Sequence, residues 1–104
     1  MNLTKDTEKA FKIIFCEYKS LRKKGFTKDN SRVFKNISEI SAFSSWLRPD
    51  IESAIHELLS CKYISEDILG VVKITDEGLK YMENKPREFF EDVSKLFNLA
   101  SIFI

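Results

Sequence analysis

The sequence predicts a mainly helical α+β domain carrying one small β-hairpin, and residues 37–81 hold the three observations behind that expectation. Ile51, Ala54, Ile55, Leu58 and Leu59 recur at three- and four-residue intervals, the spacing of a helix with one apolar stripe. Just upstream, Ile37, Ile40, Ala42 and Phe43 give a shorter helix its inner face, with Trp46 and Leu47 in the turn between the two. Downstream, the run from Ile64 to Thr75 combines β-branched residues with Gly70, which marks a tight reversal. Helix, turn, helix, hairpin, helix is the order of a winged helix-turn-helix with a short wing.

The remaining elements follow from local signals. Thr4 is an N-cap, with Asp6 and Glu8 in the first turn, where carboxylates meet the positive end of a helix. That helix should run to about Lys24 and stop at Gly25. Ala10, Phe11, Ile14, Phe15, Tyr18 and Leu21 form its inner face. Lys5, Lys9, Lys12, Lys19 and Lys23 fall opposite, as a solvated stripe with Cys16 near it. After a turn-rich link (GFTKDN), Ser31 to Phe34 reads as a short strand beside the wing. Pro49 suits the first position of the third helix, which leaves Arg48 outside it. With Leu69-Gly70 as a two-residue turn, Ile68 would face Val71 and Glu66 would face Lys73. Thr75 caps a helix from Asp76 to about Glu83, with Leu79 and Met82 inward. Pro86 then opens a last helix lined by Phe89, Val93, Leu96, Phe97 and Ala100.

The chain of 104 residues is expected to be one winged-helix domain: an N-terminal helix over 1–25, the core over 31–83 and a C-terminal packing helix over 86–104. Its net charge is only +1, so no global field draws it to nucleic acid or anionic lipid. The charges are unevenly spread, basic between Lys19 and Lys35 and acidic between Ser65 and Asp92. Two isolated cysteines and one histidine argue against a disulfide scaffold or a zinc site and fit a reducing cytoplasm. No apolar run reaches the length of a membrane span or a signal segment. No nucleophile–base set, glycine-rich phosphate loop or carboxylate pair tied to a pocket is present, so a non-enzyme without metal or cofactor is expected.

For a DNA-binding role, the third helix would place Arg48, Ser53 and His56 toward base edges. Asp50, Glu52 and Glu57 on that helix are unfavourable near phosphate, and the wing tip Asp67-Ile68-Leu69-Gly70 carries no cation. Arg22, Lys23, Lys24, Lys28, Arg32 and Lys35 are the better electrostatic candidates. They suit either a phosphate backbone or an ordinary solvated surface.

The segment KYISEDILGVVKITDEGLKYMENK, with its threonine-capped T-x-x-G after the hairpin, resembles the small YjcQ-like winged-helix proteins of low-GC bacteria and their phages. More loosely, it is similar to regulators of the MarR and PadR type. The resemblance implies DNA-binding ancestry, brings no catalytic residues and points to dimerisation through terminal helices. Phe90, Phe97, Leu99, Ile102, Phe103 and Ile104 would then form the interface of a homodimer, unless the last helix packs across the first within one chain. Two functions follow. One is a regulator that binds double-stranded DNA, expected to be positive around the third helix and wing. The alternative is a protein-binding module that does not read DNA, expected to be acidic or apolar there.

Overall fold

The computed structural model describes residues 3–95. The elements are α1 (Lys5–Lys23), α2 (Lys28–Ser31), β1 (Val33–Phe34), two 3-10 turns (Ile37–Glu39 and Ser41–Phe43) and α3 (Arg48–Ser60). There follow β2 (Ile64–Glu66), β3 (Val72–Ile74), α4 (Asp76–Glu83), a further 3-10 turn (Arg87–Phe90) and α5 (Glu91–Ser94). The three short strands form an antiparallel sheet in the order β1-β3-β2, and the fold is α+β with helix predominating.

α1 is the axis of the core. The Thr4 hydroxyl accepts from the Thr7 N–H at 3.3 Å, as the capping signal predicts. Its other end closes with Gly25 at φ 101, the Gly25 N–H donating to the Arg22 carbonyl and the Phe26 N–H to the Leu21 carbonyl. This pair of bonds is the Schellman pattern, and only glycine enters it without strain. α3 packs on one side of α1, while α2, α4 and α5 contact others. Sandwiching on several sides explains two departures from the expected lysine face. Cys16 is completely buried, and Lys12 is buried with its ammonium 4.2 Å from the centroid of the Phe89 ring and 3.4 Å from Asp92.

The helix expected over Ile37 to Phe43 is instead two 3-10 turns, separated by Ile40 in an extended conformation (φ −61, ψ 124). Asn36, Ser38 and Glu39 bond to one another through their side chains, the local competition by which Asn and Ser interrupt helices. Ile37, Ile40 and Phe43 still reach the core. Ser31 to Phe34 is also only partly strand, because Thr27 caps a helical turn that consumes Ser31. α3 begins at Arg48, one residue earlier than expected, with Leu47 as its N-cap and Pro49 in its first turn. Ile51, Ala54 and Leu58 are buried, whereas Trp46, Ile55 and Leu59 pack only partly covered against the core.

The hairpin register differs by one residue from the expected one: Glu66 faces Val72 and Ser65 faces Lys73. The connection has three residues rather than two. The Gly70 N–H donates to the Asp67 carbonyl, Gly70 takes φ 82, and the Asp67 N–H donates to the Val71 carbonyl. A two-residue hairpin turn would have forced Leu69 toward positive φ, while the longer turn asks that only of glycine. The Asp67 carboxylate also accepts from the N–H groups of Leu69 and Val71, both at 2.9 Å.

Thr75 caps α4 as expected, accepting from the Gly78 N–H at 3.0 Å and donating to the Lys62 carbonyl at 2.7 Å. Leu79 and Met82 are buried below it. Pro86 is an N-cap rather than a first helical residue, and the 3-10 turn after it rotates the following side chains. Phe90 therefore enters the core and stacks on Phe15 at 5.4 Å between centroids.

Candidate functional site

The outward face of α3 carries Glu52, Ser53, His56 and Ser60, all exposed. Arg48 starts it and pairs with Glu52 at 3.4 Å across one turn, at a surface where such a pair is worth little. Beside this face runs a groove between α3, the hairpin and the first 3-10 turn. Its charged lining is Lys35, Arg48, Glu52 and Glu66, two cations against two carboxylates, over an apolar floor that includes Ile51 and Val72. The groove is electrically balanced.

At its end the hairpin tip projects Ile68, 100% exposed, and Leu69, 84% exposed. Leu47, at the start of α3, is 71% exposed. Asp67 is tied up in the turn, so its charge serves the shape of the tip. Glu57 is withdrawn as well: its carboxylate accepts from the Thr4 N–H at 3.0 Å, linking α3 to the start of α1. Position 57 follows Ala54 on the helix toward α1, which is the only signal in the sequence for that role.

The six expected basic contacts do not form one patch. Arg22, Lys23, Lys24 and Lys28 are exposed around the α1–α2 turn, where Arg22 donates to the Phe26 carbonyl at 3.1 Å. Lys35 lines the groove instead. Arg32 is 5% exposed and structural, a correction to its expected place among the phosphate contacts. Its guanidinium donates to the Ile74 carbonyl at 2.8 Å and to Asp76 at 2.7 Å, joining the end of α2 to β3 and the start of α4. That hydrogen bond and the adjacent positive charge hold the Asp76 carboxyl below the usual aspartate range.

Of the expected dimer contacts, Phe90 is core within a single chain, because the 3-10 turn points it at Phe15. Phe97, Leu99, Ile102, Phe103 and Ile104 lie outside the described residues. Among the described residues, no helix is long and apolar enough to cross a membrane, and no three His, Cys, Asp or Glu side chains group as a metal site. Burial pushes the Cys16 thiol up to about 12, with Asp92 adding to the effect.

No protein-family model, curated protein or solved structure matches the chain. The likeness to YjcQ-like proteins accordingly rests on the sequence from about Ile37 to Lys85.

Proposed function

We propose that the chain is a winged helix-turn-helix module that docks on another protein through α3 and the β2–β3 hairpin, its wing. The observation that carries this reading is the wing tip, where Ile68 and Leu69 stand almost fully in water on a turn braced by Asp67. Burying each such side chain in a partner would contribute about 1.5–3 kcal/mol. A braced turn loses little conformational freedom on docking. A DNA-reading surface would need cations here, since phosphate contacts supply most of the affinity for DNA. The groove offers none in excess. On this reading the module is non-enzymatic and acts in the cytoplasm, a reducing compartment that suits its two isolated cysteines.

One observation favours a second reading. Arg22, Lys23, Lys24 and Lys28 are exposed together and suit a phosphate backbone, held without reading sequence. On that reading the chain is a DNA-binding regulator that approaches DNA by the α1–α2 turn. Pairing of two copies through residues beyond Lys95 is a separate proposal, tested by sedimentation at several concentrations.

A photo-crosslinking residue at Leu69 in cells separates the two readings. Docking by the wing yields a discrete protein adduct that disappears when Ile68→Asp is added. Adducts to DNA at Leu69, or no adduct there while the same probe at Lys24 labels DNA, would overturn it.

A further inference from the structure

Among the described residues, Phe26 is the only aromatic side chain more than half open to water, at 51% exposed; the others are buried or partly covered. It sits on the turn between α1 and α2, and its backbone is held on both sides. The Phe26 N–H donates to the Leu21 carbonyl at 3.2 Å, and the Phe26 carbonyl accepts from the Arg22 guanidinium at 3.1 Å. The next residue, Thr27, caps α2 by accepting from the Asn30 N–H at 3.2 Å. Its carbonyl takes both the N–H and the hydroxyl of Ser31. In a Schellman turn the residue after the glycine commonly rests on the third residue from the helix end, here Leu21. A seat of that kind uses one side of the ring and leaves the other to the solvent.

Cations lie on either side of it in sequence. Arg22 and Lys24 precede the ring, Lys28 follows it, and all three are exposed. Among the described residues, none of these three enters an ion pair. Asp29 is the one carboxylate on the turn. Asp76, a further carboxylate near Lys28, is already bound by Arg32 at 2.7 Å. An open ring among cations, on a turn that has little freedom left to lose, fits a polyanion that also carries flat rings.

A lipid surface is the poorer match, because membrane binding grows with the apolar area inserted and this turn offers a single ring. In a duplex the bases stack on one another, so a ring on a turn meets only phosphate and sugar. An unpaired base leaves its face open. Building on the reading in which this turn holds a phosphate backbone, we propose that it binds single-stranded nucleic acid. An unpaired base stacks on Phe26 while the phosphates beside it meet Arg22, Lys24 and Lys28. Stacking of this kind tolerates any base, so little sequence preference is expected.

The test is fluorescence anisotropy of the whole chain with a labelled oligothymidylate of about twelve nucleotides and with a labelled duplex of mixed sequence. Charge alone would favour the duplex, whose phosphates are denser, so the order of affinities is diagnostic. At low salt the single strand should bind at least about fivefold more tightly than the duplex. Phe26→Leu, which keeps an apolar side chain on the turn, should unfold at the parent's midpoint. It should weaken the single strand about tenfold and leave the duplex unchanged, and Phe26→Tyr should restore binding. Equal binding of both forms, indifferent to Phe26→Leu but lost with Lys24→Glu and Lys28→Glu, would overturn the stacking and leave the phosphate-holding role standing. Absence of binding to either oligonucleotide would overturn both. Co-sedimentation with phosphatidylserine vesicles that falls with Phe26→Leu, without oligonucleotide binding, would assign the turn to a lipid surface instead.

Discussion

Gly78 is the position where one added methyl group should cost most for its size. A Cβ there would strike the Tyr63 carbonyl oxygen and come within 3.0 Å of Ile74 Cγ2. The carbonyl cannot simply retreat, because it accepts the Thr75 N–H at 3.0 Å and follows Lys62, already at φ 63. Gly78→Ala gains about 0.5–1 kcal/mol from helix propensity. Against this stand about 1–3 kcal/mol for overpacking and about 1 kcal/mol for the hydrogen bond that must yield. The net loss is about 2 kcal/mol, which for a domain of this size lowers Tm by about 8–16 °C. Urea unfolding followed by far-ultraviolet circular dichroism should show a lower midpoint at unchanged slope. Glu77→Ala, at the exposed neighbouring position, should stay within about 0.5 kcal/mol of the parent. A Gly78→Ala protein as stable as the parent would refute the reasoning that T-x-x-G exists here to let α4 approach the α3–β2 link.

Phe90→Ala should destabilise the chain by about 3–5 kcal/mol, because it removes a buried ring from the core; unchanged stability with loss of self-association would instead make Phe90 an interface residue. Asp76 has a lowered carboxyl pKa, so its pairing stabilises the fold above the ordinary value of 3.8 and that contribution drains away as pH falls through the lower folded value. The Tm difference between the parent and Asp76→Asn should accordingly be present at neutral pH and shrink in acid; a difference that grows there would contradict the pairing. Under native conditions a thiol reagent should modify Cys61 well before Cys16, which is buried with its thiol pushed up to about 12. Equal rates would mean that α1 opens where its packing says it should not.

Three capping signals were legible because they are local, whereas the helix expected over Ile37 to Phe43 gives way to two 3-10 turns beside equally local side-chain bonds. Thr4, Gly25 and Thr75 each act on backbone groups within a few residues, and the structure uses all three as expected. The hairpin was legible in place but not in register, since one turn residue more or less hinges on whether Leu69 must take positive φ. Tertiary packing hid the rest. Lys12 and Cys16 looked outward by periodicity, yet α5 covers that side of α1. Arg32 read as one more cation in a basic run, and only the fold brings Asp76, forty-four positions away, against it. The face of α3 and the β2–β3 hairpin was legible in its charges, but its neutrality depends on Lys35, Glu52 and Glu66 sharing one groove.

The most direct test of the proposal that α3 and the β2–β3 hairpin meet protein rather than DNA is a titration of labelled duplexes of mixed sequence at low and at physiological salt. Only weak binding is expected, lost as salt rises, reduced when Arg22, Lys23 and Lys24 become Glu, and indifferent to Ser53→Ala and His56→Ala. Saturable, sequence-dependent binding that survives physiological salt and falls with Ser53→Ala or His56→Ala would contradict it, because α3 would then be reading bases.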